Sequence, residues 1–331
     1  MPVSRILVTG GTGFIGAHVV RHLSRSQDGT DPPALRLLAH RRTPAPAGGG
    51  RAQTVQGDLR DPASLRGICT GVDTVLHLAA YIGPDAERCH AVNTEGTAAL
   101  LAEAARAGVR RIVQLGTAAV YKDGPHRGEA EGELPVGPVS PTSVSRLAGE
   151  EQVLAAGGTV LRPHLVYGEG DTWVVPALVN LVRRIPHWVD GGRALVSMVD
   201  ADSLARAIAA LALPSAPLAA GRVLHASHPE PVSVRELVTV VARELDLPLP
   251  RGDVSVGKAL DLLGAAGDPV WSRRLSLLTV DHWYDSSRLW DLARCRPGPS
   301  FAASFGRYAP WYRTALAAPR SPGAGVVAAR R

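Results

Sequence analysis

The stretch VTGGTGFIG at residues 8–16 decides the fold. It follows an apolar run at 5–9 and opens a helical pattern over 13–27. Gly10, Gly13 and Gly16 fall three apart, and Gly11 adds a GxGxxG reading. A tight turn needs a residue free to take positive φ, a pyrophosphate needs backbone with no Cβ in its way, and the third glycine lets helix and strand pack closely. The helix N-terminus offers free N–H groups and the positive end of its dipole to phosphates. A strand before and a helix after make this a dinucleotide-binding turn, with Thr12, Phe14 and Ile15 lining it beside Gly10, Gly13 and Gly16.

The same alternation continues outward. Apolar runs at 35–40, 54–56, 74–80, 111–117 and 159–166 alternate with helical patterns at 61–69, 86–107 and 141–156. The runs are continuous rather than alternating, so both strand faces are buried. That predicts an α/β fold, a doubly wound parallel sheet of Rossmann type. After residue 166 the pattern loosens, although a helix at 201–213 and a strand at 222–226 read as further sheet-layer elements. The expected division is an NADP-binding domain of 1–165 plus about 195–227, and a smaller substrate lobe of about 166–194 plus 228–314. Residues 315–331 read as a disordered tail. Of 15 aromatic residues, 12 lie beyond residue 165, which makes the lobe the aromatic part of the chain.

An NAD-binding strand of this type ends in an acid that holds the ribose 2′-hydroxyl. Here the second strand ends Ala39-His40-Arg41-Arg42. A guanidinium matches a phosphate in charge and geometry. The predicted cofactor is therefore NADP(H), with Arg41 and Arg42 at the 2′-phosphate and His40 also at the cofactor. The alternative is a pair of ordinary solvated arginines in an arginine-rich chain.

Composition closes off other classes. The chain has 331 residues and a net charge of +6, carried by arginine because Lys122 and Lys258 are its only lysines. GC-rich coding accounts for that balance, and no basic run interleaved with aromatics marks a nucleic-acid surface. No apolar run approaches the ~20 residues that span a bilayer, so no membrane partner is expected. The N-terminus leads straight into a strand, and Cys69, Cys89 and Cys295 form neither a disulfide framework nor a metal spacing. A cytoplasmic protein without a metal is expected.

Further along the chain come GDLRD (57–61), HLAA (77–80), NTEGT (93–97), GTAAVY (116–121), LRPHLVYGEGD (161–171), VDADSLARA (199–207), PVSVREL (231–237) and WYR (311–313). With these pieces in order over most of its length, the chain resembles the extended short-chain dehydrogenase/reductase family. The resemblance implies that Asp58 and Leu59 contact the adenine and that Leu78, Ala79 and Ala80 line the cofactor cleft. Pro163, His164 and Val166 would hold the nicotinamide end, and Asn93 would be a structural residue of the active-site wall. Asp61, ahead of Pro62, is the better helix cap of the two aspartates in GDLRD.

The family's chemistry rests on a Ser or Thr and on a Tyr and Lys spaced YxxxK, which share one helix face. Thr117 fills the first place. In SPTSVSRLAGE (140–150), Thr142 stands where the Tyr belongs and Arg146 where the Lys belongs. A threonine hydroxyl is a far poorer acid than a phenol, and an arginine keeps its charge without relaying a proton. Three readings follow. In the first, a ketone is still reduced and the substrate activates itself through a hydroxyl beside the carbonyl, as the resemblance to atypical ketoreductases of aromatic polyketide (angucyclinone-type) antibiotic biosynthesis implies. In the second, His164, Tyr81, Tyr121 or Tyr167 gives the proton. In the third, catalysis is lost and the chain is an NmrA-like NADP(H)-binding regulator. A nucleotide-sugar epimerase or dehydratase is a further alternative, disfavoured because those reactions use the missing Tyr.

The expected catalytic residues are thus Thr117, Arg146 and His164, with Arg146 also placed at the cofactor. Tyr81, Thr117 and Trp173 are the expected contacts of a small-molecule aromatic ketone. The other tryptophans are expected in cores. The loop 122–139 is expected to cover the site, with Glu129, Glu131 and Glu133 solvated. A monomer or a homodimer fits the chain equally.

Overall fold

The computed structural model describes residues 4–25, 31–40, 52–218 and 220–317. The first half runs β1 (Arg5–Thr9), α1 (Phe14–Leu23), β2 (Ala34–Ala39), β3 (Ala52–Gln56), β4 (Thr74–His77), α2 (Ala86–Cys89), α3 (Gly96–Arg106), β5 (Arg111–Leu115), β6 (His126–Glu129), α4 (Pro141–Ala155), β7 (Thr159–Arg162) and β8 (Leu165–Tyr167). Then follow α5 (Val174–Arg184), β9 (Trp188–Val189), β10 (Leu195–Val196), β11 (Met198–Asp200), α6 (Ala201–Ala212), β12 (Arg222–His225), β13 (Val232–Ser233) and α7 (Val234–Glu244). The last stretch adds β14 (Asp253–Val254), α8 (Val256–Leu262), α9 (Pro269–Thr279), β15 (His282–Tyr284), α10 (Ser287–Ala293), α11 (Phe301–Ser304) and α12 (Ala309–Ala317).

Seven strands form one parallel sheet in the order β12-β7-β5-β4-β1-β2-β3. The direction of strand succession reverses between β1 and β4, and ligands of such sheets lie at the carboxyl ends beside that point. Continuous apolar runs are buried on both sides here. Ile6, Val8, Leu37 and Leu76 pack under α1, α6 and α10, while Leu7, Val75 and Leu100 pack on the opposite face. A second core joins α5, α7, α11 and α12 around Tyr167, Phe305 and Tyr312. A small sheet, β13-β10-β15-β6, lies apart from the large one and recruits β6 from the loop ahead of α4.

Several boundaries differ from the sequence expectation, each for a local reason. The run 159–166 splits at Pro163, which has no N–H to give a ladder. Its carbonyl accepts Ala118 N instead, and β8 turns away to pair with β11. The helix expected over 61–69 shrinks to a single turn, Pro62–Leu65, capped by Asp61 as expected. Beyond it, Arg36 takes the Ile68 and Thr70 carbonyls at 2.6 and 3.0 Å. The pattern over 86–107 is one helical run, but its middle, His90–Glu95, is a π-turn. Residues 315–317, expected in a tail, close α12.

Candidate active site

The phosphate turn has the shape its sequence demands. Gly10 has φ +73°, and a Cβ there would come within 2.6 Å of Ala79 N. A Cβ on Gly16 would collide with the Gly10 carbonyl. Helix α1 has Gly13 at its N-cap and no side-chain cap, so its first N–H groups are not taken by a side chain. Thr12 is exposed at the tip, and Phe14 and Ile15 are half-buried at the helix start. This cradle fits the pyrophosphate of a dinucleotide.

The adjoining wall is fixed by a chain of hydrogen bonds. Ala79 N donates to Thr9 Oγ1 at 3.2 Å, and that hydroxyl lies 2.8 Å from His77 Nδ1. His77 Nε2 meets Thr97 Oγ1 at 3.0 Å, and Thr97 donates on to the Asn93 carbonyl. Asn93 is buried and grips Tyr81 at both N–H (2.7 Å) and carbonyl (2.9 Å). The backbone from Leu78 through Ala80 is thereby held against the turn at Gly10. Burial, with Arg146 nearby, pushes the His77 imidazole down to about 4.

At the ends of β2 and β3, Asp58 receives Arg60 at 2.7 Å and His40 at 3.1 Å. The Arg60 hydrogen bond, against the opposing effect of burial, pulls the Asp58 carboxyl down to about 2. Leu59 is buried beside it. Arg41 and Arg42 lie outside the described residues.

The catalytic window departs from a phenol–ammonium arrangement in a definite way. Thr142 donates to the Gly83 carbonyl at 2.9 Å and accepts Gly83 N at 3.2 Å, so its hydroxyl is spent on backbone. Arg146 sends Nη2 to the Leu115 and Gly116 carbonyls at 2.6 and 2.7 Å. One turn later Glu150 accepts Thr117 N at 3.1 Å and Arg162 Nε at 2.8 Å. The two charged groups of α4 thus clamp the backbone that presents Thr117. Burial pushes Glu150 up against the pull of Arg162 and Arg146, and it also lowers Arg162 until Glu150 outweighs it. The short charge-assisted contact supports the ionised pair. Thr117 Oγ1 accepts Ala119 N at 3.2 Å, which leaves its hydrogen available to a ligand.

Beside Thr117 lies a cluster of rings. Tyr121 donates to His225 Nε2 at 2.6 Å, and His225 Nδ1 donates to the Asp285 carbonyl at 3.0 Å. Tyr284 meets His126 Nδ1 at 2.9 Å and stacks on Tyr121. His164 packs against His282 and Tyr284, with ring centroids 5.6 and 5.7 Å away. Burial, reinforced by His282 and His126, pushes His164 down to about 3. Tyr167 is turned into the lobe core, bonded to Ser304, while Pro163 and Val166, before and after His164 in sequence, are buried.

Trp173 stands at the start of α5 with 49 % of its surface exposed. Its loop is set by buried Asp171, which accepts Trp173 N, Val174 N and Val175 N and also Tyr312 Oη at 2.9 Å. Trp290 is buried, and Trp188, Trp271, Trp283 and Trp311 are half-buried. Glu131 departs from the expectation of a solvated side chain. It is 6 % exposed, pairs with Arg288 and accepts His225 N at 3.0 Å. Sequence reading missed Glu150, Arg162 and Asp171. Glu150 had a signal, since it follows Arg146 by four on one helix face. The other two depend on contacts distant in sequence.

Among the described residues no helix is long and apolar enough to cross a membrane, and no group of three His, Cys, Asp or Glu is placed to hold a metal ion. A family model described as the NAD dependent epimerase/dehydratase family matches residues 6–223. The chain is 30 % identical over 309 residues to a 2-alkyl-3-oxoalkanoate reductase of Stenotrophomonas maltophilia, covering 85 % of this chain and 91 % of the relative. It is 28 % identical over 278 residues to a 4-hydroxy-2-methyl-3-oxo-4-farnesyl-3,4-dihydroquinoline-1-oxide ketoreductase of Stigmatella aurantiaca, covering 81 % and 80 %. Among solved structures, the dTDP-glucose 4,6-dehydratase of Streptomyces venezuelae with NAD bound superposes at a TM-score of 0.69 with 25 % identity, over 94 % of this chain and 97 % of the other. The NAD complex of UDP-glucuronic acid 4-epimerase from Bacillus cereus does so at 0.70 with 19 % identity, over 95 % and 100 %, a likeness of fold. The chain belongs to the NAD dependent epimerase/dehydratase family, the extended short-chain dehydrogenases/reductases.

Proposed function

We propose that the protein is an NADPH-dependent ketoreductase that reduces a ketone on a bulky, aromatic polyketide-like molecule as a tailoring step of antibiotic biosynthesis. The observation that carries this reading is how the two altered positions are used. Thr142 spends its hydroxyl on Gly83 and Arg146 binds the carbonyls ahead of Thr117, yet the dinucleotide cradle is intact. Thr117 is then the hydroxyl of the catalytic window left to meet a substrate oxygen. When bound, the reduced nicotinamide supplies hydride to the carbonyl carbon. Thr117 donates a hydrogen bond to the carbonyl oxygen, and Glu150 and Arg146 fix the backbone from which it does so. The proton comes from a hydroxyl of the substrate next to the carbonyl, already hydrogen-bonded to it. Positioning then does most of the remaining work.

Segments bordering the site carry exposed apolar side chains, Ile82, Val136, Val139 and Trp173, which suit an apolar substrate better than a nucleotide sugar. Two relatives named above are, by their names, reductases of a 3-oxo group on molecules with alkyl or farnesyl chains. NADPH is preferred over NADH because β2 ends without an acid and leads into His40, Arg41 and Arg42 in sequence, and His40 and Arg60 both pair with Asp58.

The test is consumption of NADPH with 8-hydroxy-1-tetralone, whose hydroxyl neighbours the carbonyl, against 1-tetralone, which lacks it. Turnover of the hydroxylated ketone with NADPH is expected, together with a larger thermal shift from NADPH than from NADH. Interconversion of a nucleotide sugar without net reduction would place the protein with the epimerases instead.

A further inference from the structure

His164 stands at the edge of the ring cluster, against His282 and Tyr284. Its Nε2 is buried and, among the described residues, has no hydrogen-bond partner. Its neighbours on that side cannot help it as the rings stand. His282 Nε2 is itself without a partner, and the Tyr284 hydroxyl is engaged with His126 Nδ1. A buried donor or acceptor with no partner costs about 1–3 kcal/mol, and orphaned N–H groups are rarer in proteins than orphaned acceptors. The proton of a neutral ring therefore sits on Nδ1, the edge left accessible on this half-buried residue.

The backbone just ahead of His164 lies close to the reacting end of the site. The Pro163 carbonyl accepts Ala118 N at 2.9 Å, so the residues just before His164 run alongside Thr117 and Ala118. The tautomer and the course of this segment point to an N–H donor on the strand end that runs alongside Thr117.

We propose that His164 presents its Nδ1–H to the oxygen of the substrate hydroxyl that neighbours the reducible carbonyl. The inference rests on the ketoreductase reading and assigns to His164 a role in substrate recognition. As hydride reaches the carbonyl carbon, the proton of that hydroxyl passes to the new alkoxide, and the hydroxyl oxygen is left anionic until water reprotonates it. A donor held at that oxygen, in a site partly closed to water, stabilises the charge as it forms. Because burial and the facing His282 and His126 keep the ring uncharged, it serves as a hydrogen-bond donor and gives up no proton. Charged and titratable groups in ring contact with His164 are His282 and Tyr284, with His126 behind them.

The tautomer is read directly in the full-length protein labelled with 15N-histidine, using long-range proton–nitrogen correlation and His164→Gln for assignment. A protonated Nδ1 and bare Nε2, unchanged through neutral pH, is expected. An Nε2–H tautomer or an imidazolium near pH 6 overturns the inference, whatever the activity. The second arm compares His164→Phe with wild type on the two tetralones. The variant is expected to lose about tenfold or more in kcat/KM on the hydroxylated ketone and clearly less on 1-tetralone. His164→Asn, whose amide N–H can take the same place, should recover part of the loss. Equal losses on both ketones overturn the role of His164. A wild type inert towards both ketones overturns the ketoreductase reading, while the tautomer still decides the state of the ring.

Discussion

Glu150 and Arg162 form an ion pair inside the protein, 2.8 Å long, with side chains 0 % and 7 % exposed. The same carboxylate holds the Thr117 N–H, so the pair is bound into the support of the site. A buried pair is weak evidence of net stability, but removing one partner strands the other. Glu150→Ala is therefore expected to lower unfolding stability by about 3–5 kcal/mol, measured by urea titration. Glu150→Gln keeps an acceptor for Thr117 N–H and is expected to lose less. Equal losses would show that the Thr117 bond contributes little.

Acid sensitivity should begin well above the carboxylate range. Burial pushes His77, His164 and His282 down to about 4, 3 and 4 from an ordinary 6.5. Their folded values lie below their unfolded values, so between about pH 6.5 and 4 the unfolded chain binds more protons. Stability then falls as pH falls through that window and is flat above it. Each fully shifted histidine contributes up to about 1.4 kcal/mol per pH unit to the slope. Urea midpoints across the window check this. His282→Gln should flatten the slope, and an unchanged slope would locate the sensitivity elsewhere.

Much of the fold and of the site is legible in the sequence, and what is not has a common cause. VTGGTGFIG, the strand runs and the capping pair Asp61-Pro62 act through neighbours in sequence, and the fold follows them closely. Asn93, too, has its helix foretold, but its grip on Tyr81 comes from a π-turn that periodicity does not reveal. Glu131 read as solvated because its own stretch is polar. It is buried by Arg288 and His225, residues at least 90 positions away. The same holds for Asp171, whose partner Tyr312 lies 141 positions on. Pro163 could have warned that 159–166 is two strands, since a missing N–H is a local fact.

Restoring the family pair tests the claim of self-activation. Thr142→Tyr with Arg146→Lys puts a phenol and an ammonium back on one face of α4. A positioned acid contributes about 10²–10⁴-fold where the proton is otherwise lacking. The double variant is therefore expected to raise kcat on 1-tetralone markedly and on 8-hydroxy-1-tetralone only a little. It also gives up the Gly83 and Leu115–Gly116 bonds, so thermal melting is measured alongside. A large gain on the hydroxylated ketone would mean that this substrate, too, lacked a proton donor.

Trp173 offers the cleanest separation of binding from chemistry. Its backbone is fixed by Asp171, while its indole is half in solvent and makes no described aromatic contact. Removing it should leave α5 and the Thr117 support undisturbed, so Trp173→Ala is expected to melt close to wild type. If the indole covers a planar substrate, the variant loses apolar burial worth about 1.5–3 kcal/mol in bound and transition states alike. The signature is a KM raised about tenfold or more with kcat nearly unchanged. A fall in kcat at constant KM would instead place the indole against the reacting atoms. No change in either would take Trp173 out of the substrate site.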